Sequence, residues 1–214
     1  MLKLKRLVLV RHGHSENIQH SLIGGWSDAK LTELGTSQVT ALAERLRIEI
    51  QGNYTLYSSD ILRTKQTTEI ISQALNISPR YTKDLRDQNR GIVTGMKQDE
   101  AEKYVQEVTY PLIDWLRYPE SESLRECWSR IDRFMESFNE TEEQVIIVSH
   151  GGPIEGIIKW WIGTLLSDFF KFGLEIGFAS ISILDTNKHG QRKIERINDM
   201  THYLKIGLSN PIDL

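Results

Sequence analysis

Two apolar segments, far apart in the chain, end in the same way, with a histidine followed by a glycine. The first junction reads Leu9-Val10-Arg11-His12-Gly13 and the second reads Val148-Ser149-His150-Gly151-Gly152. Each follows a short run of apolar residues, which is typical of a strand buried on both faces of a parallel sheet. Since ligands bind at the carboxyl ends of such strands, we expect the two imidazoles to lie side by side at one edge of a sheet.

The composition is that of an ordinary globular protein. The chain has 214 residues, of which 39% are hydrophobic and 26% are charged, and this length suffices for one well-buried core. The net charge of -3 argues against a nucleic-acid partner, which normally requires a basic excess. The single Cys127 excludes an internal disulfide, and no stretch has the length of a membrane span. We therefore predict one domain over residues 1–214, located in the cytoplasm, with no membrane segment and no nucleic-acid partner.

Apolar periodicity and capping residues predict strands and helices that alternate along much of the chain. Besides the two strands above, strands are predicted at 54–57, 80–85, 178–184 and 193–197. Helices are predicted at 31–48, 61–75, 98–108, 124–138 and 153–163. Loops are predicted at 16–30 and 86–91, and irregular chain at 110–123. This alternation favours an α/β fold in which helices cover both faces of the sheet.

Four side chains near the predicted strand ends have the chemistry of a phosphoryl-transfer site. Arg11 ends the first strand, and Arg63 lies in the first turn of a predicted helix. Two guanidinium groups, each a rigid fork of N–H donors, suit the oxygens of a phosphoryl group. The neutral imidazole of His12 or His150 can act as a covalent nucleophile. Positively charged Arg and His side chains also stabilise a phosphoryl group during its transfer.

Three further residues are candidates to supply hydrogen-bond donors and a proton. Gly13 and Gly151 lack side chains, so their backbone N–H groups are open to an anion or able to orient the imidazoles. A departing alkoxide needs an acid, and Asp87 in a polar loop is the candidate. His12 and His14 also have the His-x-His spacing of some metal sites, which need further ligands. The sequence leaves that alternative open.

Six short blocks follow one another along the chain, at residues 9–13, 31–35, 59–67, 122–130, 148–152 and 198–202. In this order they resemble the blocks of the histidine phosphatase superfamily, also called the phosphoglycerate mutase-like family. The resemblance covers nearly the whole chain. It implies a three-layer α/β/α sandwich with a mostly parallel central sheet.

The resemblance also implies a role for each candidate residue. The signature histidine of the family becomes phosphorylated, and it corresponds to His12. The phosphate pocket of the family corresponds to Arg11, Arg63 and His150. The acid of the family lies two residues after a Leu that follows the third strand. That position is Asp87 here, where many relatives have Glu.

Two positions depart from the family pattern. Relatives often have Glu or Gln after the Arg-His-Gly signature, and this chain has His14. Relatives also often place a phosphate-binding Asn seven residues after the signature Arg, where this chain has Ile18. Asn17 immediately precedes that position and is the candidate for the same contact.

We therefore predict a phosphatase that hydrolyses phosphomonoesters through a phosphohistidine, with no metal and no cofactor. Its expected partner is a phosphorylated small molecule, with a phosphoprotein as an alternative, and the sequence does not indicate an oligomeric state. The segment 91–123 is expected to act as a lid, and it is short compared with that of the cofactor-dependent mutases. A more open pocket favours hydrolysis. A phosphoglycerate mutase and a non-catalytic phosphate-binding or phosphoprotein-binding module remain the alternatives.

Overall fold

Six strands form one sheet in the computed structural model, which describes residues 4–138 and 143–208. In chain order they are β1 (Arg6–Arg11), β2 (Thr55–Ser59), β3 (Pro79–Thr82), β4 (Gln144–Ser149), β5 (Ile181–Thr186) and β6 (Arg192–Asp199). Their order across the sheet is β3-β2-β4-β1-β5-β6. The first four in this order are parallel neighbours, whereas β5 runs antiparallel to both β1 and β6. The ends of the predicted domain, 1–3 and 209–214, lie outside the described residues.

Helices cover both faces of this sheet. They are α1 (Glu16–Gln19), α2 (Glu33–Glu49), α3 (Leu62–Leu75), α4 (Gln98–Ala101), α5 (Leu124–Glu136) and α6 (Gly151–Ile162). One apolar cluster joins Leu7 and Leu9 of β1 to α5 and α6, and a second joins Val8 and Val10 to α2 and α3. Alternate side chains of β1 therefore serve opposite layers, which explains why the strand is apolar throughout. The predicted three-layer sandwich with a mostly parallel sheet is confirmed.

None of the helices that the structure describes is both long and apolar enough to cross a membrane.

The strands that carry the predicted site end at one edge of the sheet. Arg11 is paired with Ser149 at the ends of β1 and β4, and Ser58 of β2 is paired with Val148. α6 follows β4 after a single residue, and α3 begins shortly after β2. The residues that leave these strands therefore meet at the same place.

Two predicted elements are wrong in their second halves. The predicted strand 80–85 ends at Thr82, and a 3₁₀ turn over Lys83–Leu85 follows, because the Thr82 hydroxyl accepts a hydrogen bond from the Asp84 N–H. The predicted helix 98–108 is α4 followed by a 3₁₀ turn over Glu102–Tyr104. Beyond it the Gln106 N–H donates to the Arg117 carbonyl at 2.9 Å, a contact across the segment that competes with a helix.

Three further boundaries differ near the strand ends. The short helix α1 lies within the predicted loop 16–30. β5 begins at Ile181 and not at 178, because the Ala179 N–H donates to the His12 carbonyl at 3.0 Å and bends the chain. α6 begins at Gly151, two residues earlier than predicted, so its N-terminus adjoins His150.

Candidate active site

The two histidines lie beside each other at the edge where β1 and β4 end. Their ring centroids are 5.1 Å apart and the rings are tilted by 66°. Arg63, in the first turn of α3, contacts both rings. Three distant parts of the sequence are thus brought together within hydrogen-bond distance.

Hydrogen bonds define the tautomer of His12. Its Nδ1 lies 2.7 Å from the carbonyl oxygen of Gly13, which can only accept, so Nδ1 carries the proton. Nε2 therefore holds a lone pair, which accepts from Nε of Arg63 at 3.2 Å. Burial, reinforced by the charges of Arg63 and Arg11, lowers the pKa of His12 well below its ordinary value. The ring is neutral near pH 7, as a nitrogen nucleophile must be.

His150 has the opposite tautomer. Its Nδ1 accepts from Nη2 of Arg63 at 3.0 Å, so its Nε2 carries the proton and donates to the hydroxyl of Ser59 at 3.0 Å. Burial, followed by the charge of Arg63, lowers the pKa of His150 well below its ordinary value. Ser59 ends β2 and is fully buried.

Arg63 is almost fully buried and organises the loop above it. It is 1% exposed, and it donates to the carbonyls of Gly25 at 2.8 Å and Ser27 at 2.9 Å. Gly25 has a φ of 51°, a left-handed conformation that favours glycine. The loop before α2 therefore folds over the guanidinium and closes one side of the site.

Arg11 lies on the other side of the two imidazoles. Its guanidinium carbon is 3.8 Å from the centroid of the Phe178 ring, and the group also donates to the carbonyl of Ile176. Its Nε is buried and has no hydrogen-bond partner among the described residues. Burial lowers the pKa of Arg11 to about 10, so the side chain keeps its charge near pH 7. An unpaired, charged donor at this place is suited to an anion.

The two predicted glycines differ in what they contribute. The N–H of Gly13 donates to the Thr67 hydroxyl at 3.2 Å, so the structure does not support the prediction that it binds phosphate; its carbonyl orients His12 instead. A Cβ at Gly13 would lie 2.6 Å from the Gly35 carbonyl oxygen, so close packing excludes any side chain. Gly151 is the first residue of α6, whose leading N–H groups have no partner within the helix, and it lies against Arg11.

Asp87 lies across the pocket from His12, in the loop that follows the 3₁₀ turn. Its Oδ2 is 3.7 Å from Nη2 of Arg63, and its Oδ1 accepts from the Gln88 N–H at 2.9 Å. The side chain is 25% exposed, so water reaches it. The Asp87 carbonyl accepts from the indole N–H of Trp26 at 2.7 Å. Trp26 belongs to the predicted loop 16–30.

Arg130 of α5 holds the backbone of the same loop. Its guanidinium donates to the carbonyls of Asp84, Arg86 and Asp87 at 2.6 to 3.2 Å, and it forms an ion pair with Glu122 at 2.8 Å. One buried cation thus holds three backbone carbonyls within the four residues that end at the candidate acid. The sequence marked Glu122 and Arg130 only as part of a family block.

A cavity of about 310 Å³ is lined by Arg11, His12, Arg63 and Asp87, and we call it the phosphate cavity. His150 is fully buried and does not form part of this wall, although it contacts Arg63. Asn17 forms part of its wall, and its carbonyl oxygen accepts from the Ser15 hydroxyl, which leaves the amide nitrogen beside Gly24. Ile18 lines the same wall. The segment 91–123 contributes Gln98, Arg117 and Tyr118, which lie opposite the strand ends. Arginines outnumber carboxylates in this wall, so the cavity is suited to an anion although the whole chain is acidic.

His14 points away from the phosphate cavity. Its Nδ1 is 2.9 Å from the Thr32 hydroxyl, and its ring contacts Phe178 edge to face. Within residues 4–138 and 143–208, no three His, Cys, Asp or Glu side chains are grouped in a way that would hold a metal ion.

The family and several relatives were identified by comparison with known proteins. The model of the histidine phosphatase superfamily (branch 1) matches residues 7–200. A broad-specificity phosphatase of Saccharomyces cerevisiae is 30% identical over 170 residues, which cover 72% of this chain and 69% of that protein. A probable phosphoglycerate mutase of Escherichia coli, GpmB, is 32% identical over 186 residues, which cover 84% of both chains.

Solved structures share the fold at lower sequence identity. YhfR of Bacillus stearothermophilus superposes with a TM-score of 0.77 at 23% identity, covering 92% of this chain and 98% of that one. A mycobacterial glucosyl-3-phosphoglycerate phosphatase superposes with a TM-score of 0.74 at 22% identity, covering 91% and 98%.

Proposed function

Since the chain belongs to the histidine phosphatase superfamily, we propose that it hydrolyses phosphomonoesters through a covalent phosphohistidine at His12, without a metal ion. One observation carries the proposal. The Nε2 lone pair of a neutral, buried His12 lies at the phosphate cavity, and the Gly13 carbonyl holds the opposite nitrogen protonated.

The first step transfers the phosphoryl group to the enzyme. Nε2 of His12 attacks phosphorus, the N–P bond forms, and the bond from phosphorus to the ester oxygen breaks on the opposite side. The carboxyl form of Asp87 gives its proton to the departing alkoxide and becomes a carboxylate. Arg11 and Arg63 line the cavity beside His12, which supports their predicted roles as donors to the phosphoryl oxygens. The contact of His150 with the Arg63 guanidinium supports a role for His150 that acts through Arg63.

The second step returns the enzyme to its starting state. The Asp87 carboxylate takes a proton from a water molecule, whose oxygen attacks phosphorus as the N–P bond breaks. The bonding pair returns to Nε2 of His12, phosphate is released, and Asp87 is again a carboxylic acid. The partial exposure of Asp87 supports this step, because water reaches the carboxylate directly.

The positive charge that the step needs is supplied by side chains. The buried guanidinium of Arg63 and the partly buried guanidinium of Arg11 line one cavity, and their N–H donors suit phosphoryl oxygens. The proposed reaction therefore requires no metal ion and no organic cofactor. The proposed substrate is a phosphorylated small molecule.

Phosphoglycerate mutase activity is the second candidate, and the probable mutase of Escherichia coli at 32% identity favours it. A mutase keeps its phosphohistidine away from water until an acceptor hydroxyl arrives. The exposure of Asp87 favours hydrolysis over that reaction.

Turnover assays in the presence of EDTA separate these candidates. The purified protein is incubated with p-nitrophenyl phosphate and with 3-phosphoglycerate, the latter with and without a bisphosphate primer. We expect phosphate release without isomerised product. Primer-dependent isomerisation would make it a mutase instead, and loss of turnover in EDTA would refute metal independence.

The histidine variant His12→Ala tests the covalent step directly. We expect no turnover and no acid-labile phosphate on the protein, with an unchanged circular dichroism spectrum. His189→Ala, in an exposed turn, is the matched control and should behave as the wild type. Retained turnover in His12→Ala would contradict the mechanism.

A further inference from the structure

A second cavity of about 620 Å³ adjoins the phosphate cavity, and we call it the apolar cavity. We propose that it holds the alcohol part of the substrate, and that the protein prefers phosphomonoesters of bulky alcohols that carry an apolar ring. This inference rests on the proposed function and names the substrate class of that site.

The walls of the apolar cavity suit a ring. Trp128 of α5 meets Phe169 edge to face with centroids 4.9 Å apart, and Phe178 lies on the side next to Arg11. The other apolar side chains of its wall include Leu124, Ile131, Pro153 and Leu174, and polar side chains such as Glu155, Glu175 and Asn198 line the rest. Aromatic faces with apolar neighbours bind rings mainly by removing apolar surface from water.

Asp87 places the alcohol in this cavity. The two cavities share Arg11, Asp87 and Arg90, so the acid lies at their junction. An acid that protonates the ester oxygen must touch that oxygen, and the rest of the alcohol then continues away from the phosphate. Gly151 and Gly152 border the passage, since a Cβ on them would lie 3.6 Å from the Arg11 guanidinium carbon and 3.8 Å from Asp87 Oδ1.

The far wall of the apolar cavity is held in place without a ligand. Lys159 of α6 is 1% exposed, and its Nζ donates to the carbonyls of Phe169 at 2.6 Å and Phe172 at 2.8 Å. The same ammonium forms an ion pair with Glu155 at 2.8 Å, and Glu155 accepts from the Leu174 N–H. A wall that is ordered before binding loses little entropy when a ring enters.

The charged phosphate cavity supports a competing substrate class. Arg90 and Arg117 lie in its wall besides the two phosphate-facing arginines, and a second anionic group on the substrate would suit them. We favour the apolar class because the apolar cavity is twice as large and lies beyond the acid. The test includes an anionic ester for this reason.

The first measurement compares kcat/KM for benzyl phosphate, glycerol 1-phosphate and 3-phosphoglycerate. The first two esters release primary alkoxides, so their difference reports mainly the alcohol site. Burial of one aromatic ring predicts at least about a tenfold preference for benzyl phosphate. A preference of the wild type for either of the other two esters would overturn the inference.

Two changes in the wall of the apolar cavity sharpen the test. Gly156 of α6 is buried in this wall, and a Cβ on it would have 3.8 Å contacts with Ile131 and Trp128, so the methyl groups of Gly156→Val would occupy the space beside them. We expect the ratio of kcat/KM for benzyl phosphate to kcat/KM for glycerol 1-phosphate to fall about tenfold, because the ring loses its place and the small alcohol does not need it. Trp128→Ala, which removes the ring from the wall, should act in the same direction. A preference that neither change reduces would overturn the inference.

Trp160→Ala is the matched control, because Trp160 lies on α6 but outside the apolar cavity. It should leave the preference unchanged. If Gly156→Val does not fold, Gly156→Ala is used, because alanine favours a helix interior and adds one methyl group to the same space.

Binding of non-hydrolysable phosphonates separates this inference from the proposed function. Calorimetry should show benzylphosphonate binding at least about tenfold more tightly than methylphosphonate, whether or not the protein turns over esters. If the protein shows this difference in affinity but turns over no ester, the proposed phosphatase activity is refuted and the ring-binding role of the apolar cavity stands. A phosphatase that binds both phosphonates equally would refute the apolar cavity alone.

Discussion

The two adjoining cavities are built by different parts of the chain. The phosphate cavity is formed beyond the ends of β1 and β2, and its His12 and Arg63 are almost fully buried. The apolar cavity is formed by helices α5 and α6 and by the chain between 169 and 178. Its walls are held by contacts such as that of Lys159 with backbone carbonyls. The ends of the strands thus carry the side chains that bind and transfer the phosphoryl group. The helices and the chain that connects them form the cavity whose shape selects the alcohol.

This difference between the two cavities predicts which kinetic property a substitution in each of them should change. A change at the strand ends should abolish turnover of every ester, because all esters share the phosphoryl group. A change in the apolar cavity should alter the ranking of esters and spare the common step. Asp87 lies at the junction and should affect both.

Arg63→Ala should have the largest effect. It removes the donor to both histidines and to the loop at Gly25, and we expect kcat/KM to fall about a thousandfold for all esters alike. Arg63→Lys should not restore activity, because an ammonium cannot reproduce the guanidinium fork. Arg47→Ala, on the exposed face of α2, is the control. A loss confined to benzyl phosphate would break the division between the cavities.

Asp87→Asn should have the next largest effect, and it should depend on the leaving group. We expect about a hundredfold loss with benzyl phosphate, whose alkoxide needs a proton, and a much smaller loss with p-nitrophenyl phosphate. Steady-state kinetics with both esters measure the difference. An equal loss for the two esters would argue against Asp87 as the acid.

Trp26→Phe should also reduce kcat/KM by a factor that depends on the leaving group, but this factor should be smaller than for Asp87→Asn. The substitution removes the hydrogen bond from the indole to the Asp87 carbonyl and keeps an aromatic ring near Arg86. Loss of this one hydrogen bond should lower kcat/KM for benzyl phosphate about fivefold. Because Trp26 acts through Asp87, p-nitrophenyl phosphate should be nearly unaffected, and a uniform loss would indicate a general structural effect instead.

Lowering the pH should reduce the free energy of unfolding without changing which ester the protein prefers. The pKa values of His12 and His150 lie below the ordinary value of 6.5 in the fold, so the unfolded chain binds more protons as the pH falls below about 6.5. The free energy of unfolding should then decrease with a slope that approaches about 1.4 kcal/mol per pH unit for each such histidine well below pH 6.5. Urea titrations between pH 7 and pH 5 measure this slope. The benzyl-to-glycerol preference should stay constant over the same range, since Trp128 and Phe169 do not titrate.

Much of the site could be predicted because its residues directly follow strands. The sequence positions of His12, His150, Arg11 and Arg63 in relation to apolar runs were enough to bring them together, and the sheet edge does so. Their catalytic roles stay predictions. The α/β/α layering was predictable for the same reason, since apolar runs mark strands that are covered on both faces.

The contacts that position these residues could not be predicted. Ser59, Trp26 and Arg130 act through partners far away in the chain, and no local pattern encodes such pairings. The predicted helix 98–108 failed for the same reason, because Gln106 pairs with Arg117 across the segment. Asn17 was predicted from its offset from the family position, and both it and Ile18 line the phosphate cavity.

The unpaired Nε of Arg11 has a consequence for the end of the catalytic cycle. A buried cationic donor without a partner is satisfied by any tetrahedral oxyanion, and inorganic phosphate is such an ion. Phosphate, the product of the second step, is therefore also a ligand that this donor suits. We expect phosphate to inhibit competitively and, for esters with good leaving groups, its escape to limit turnover.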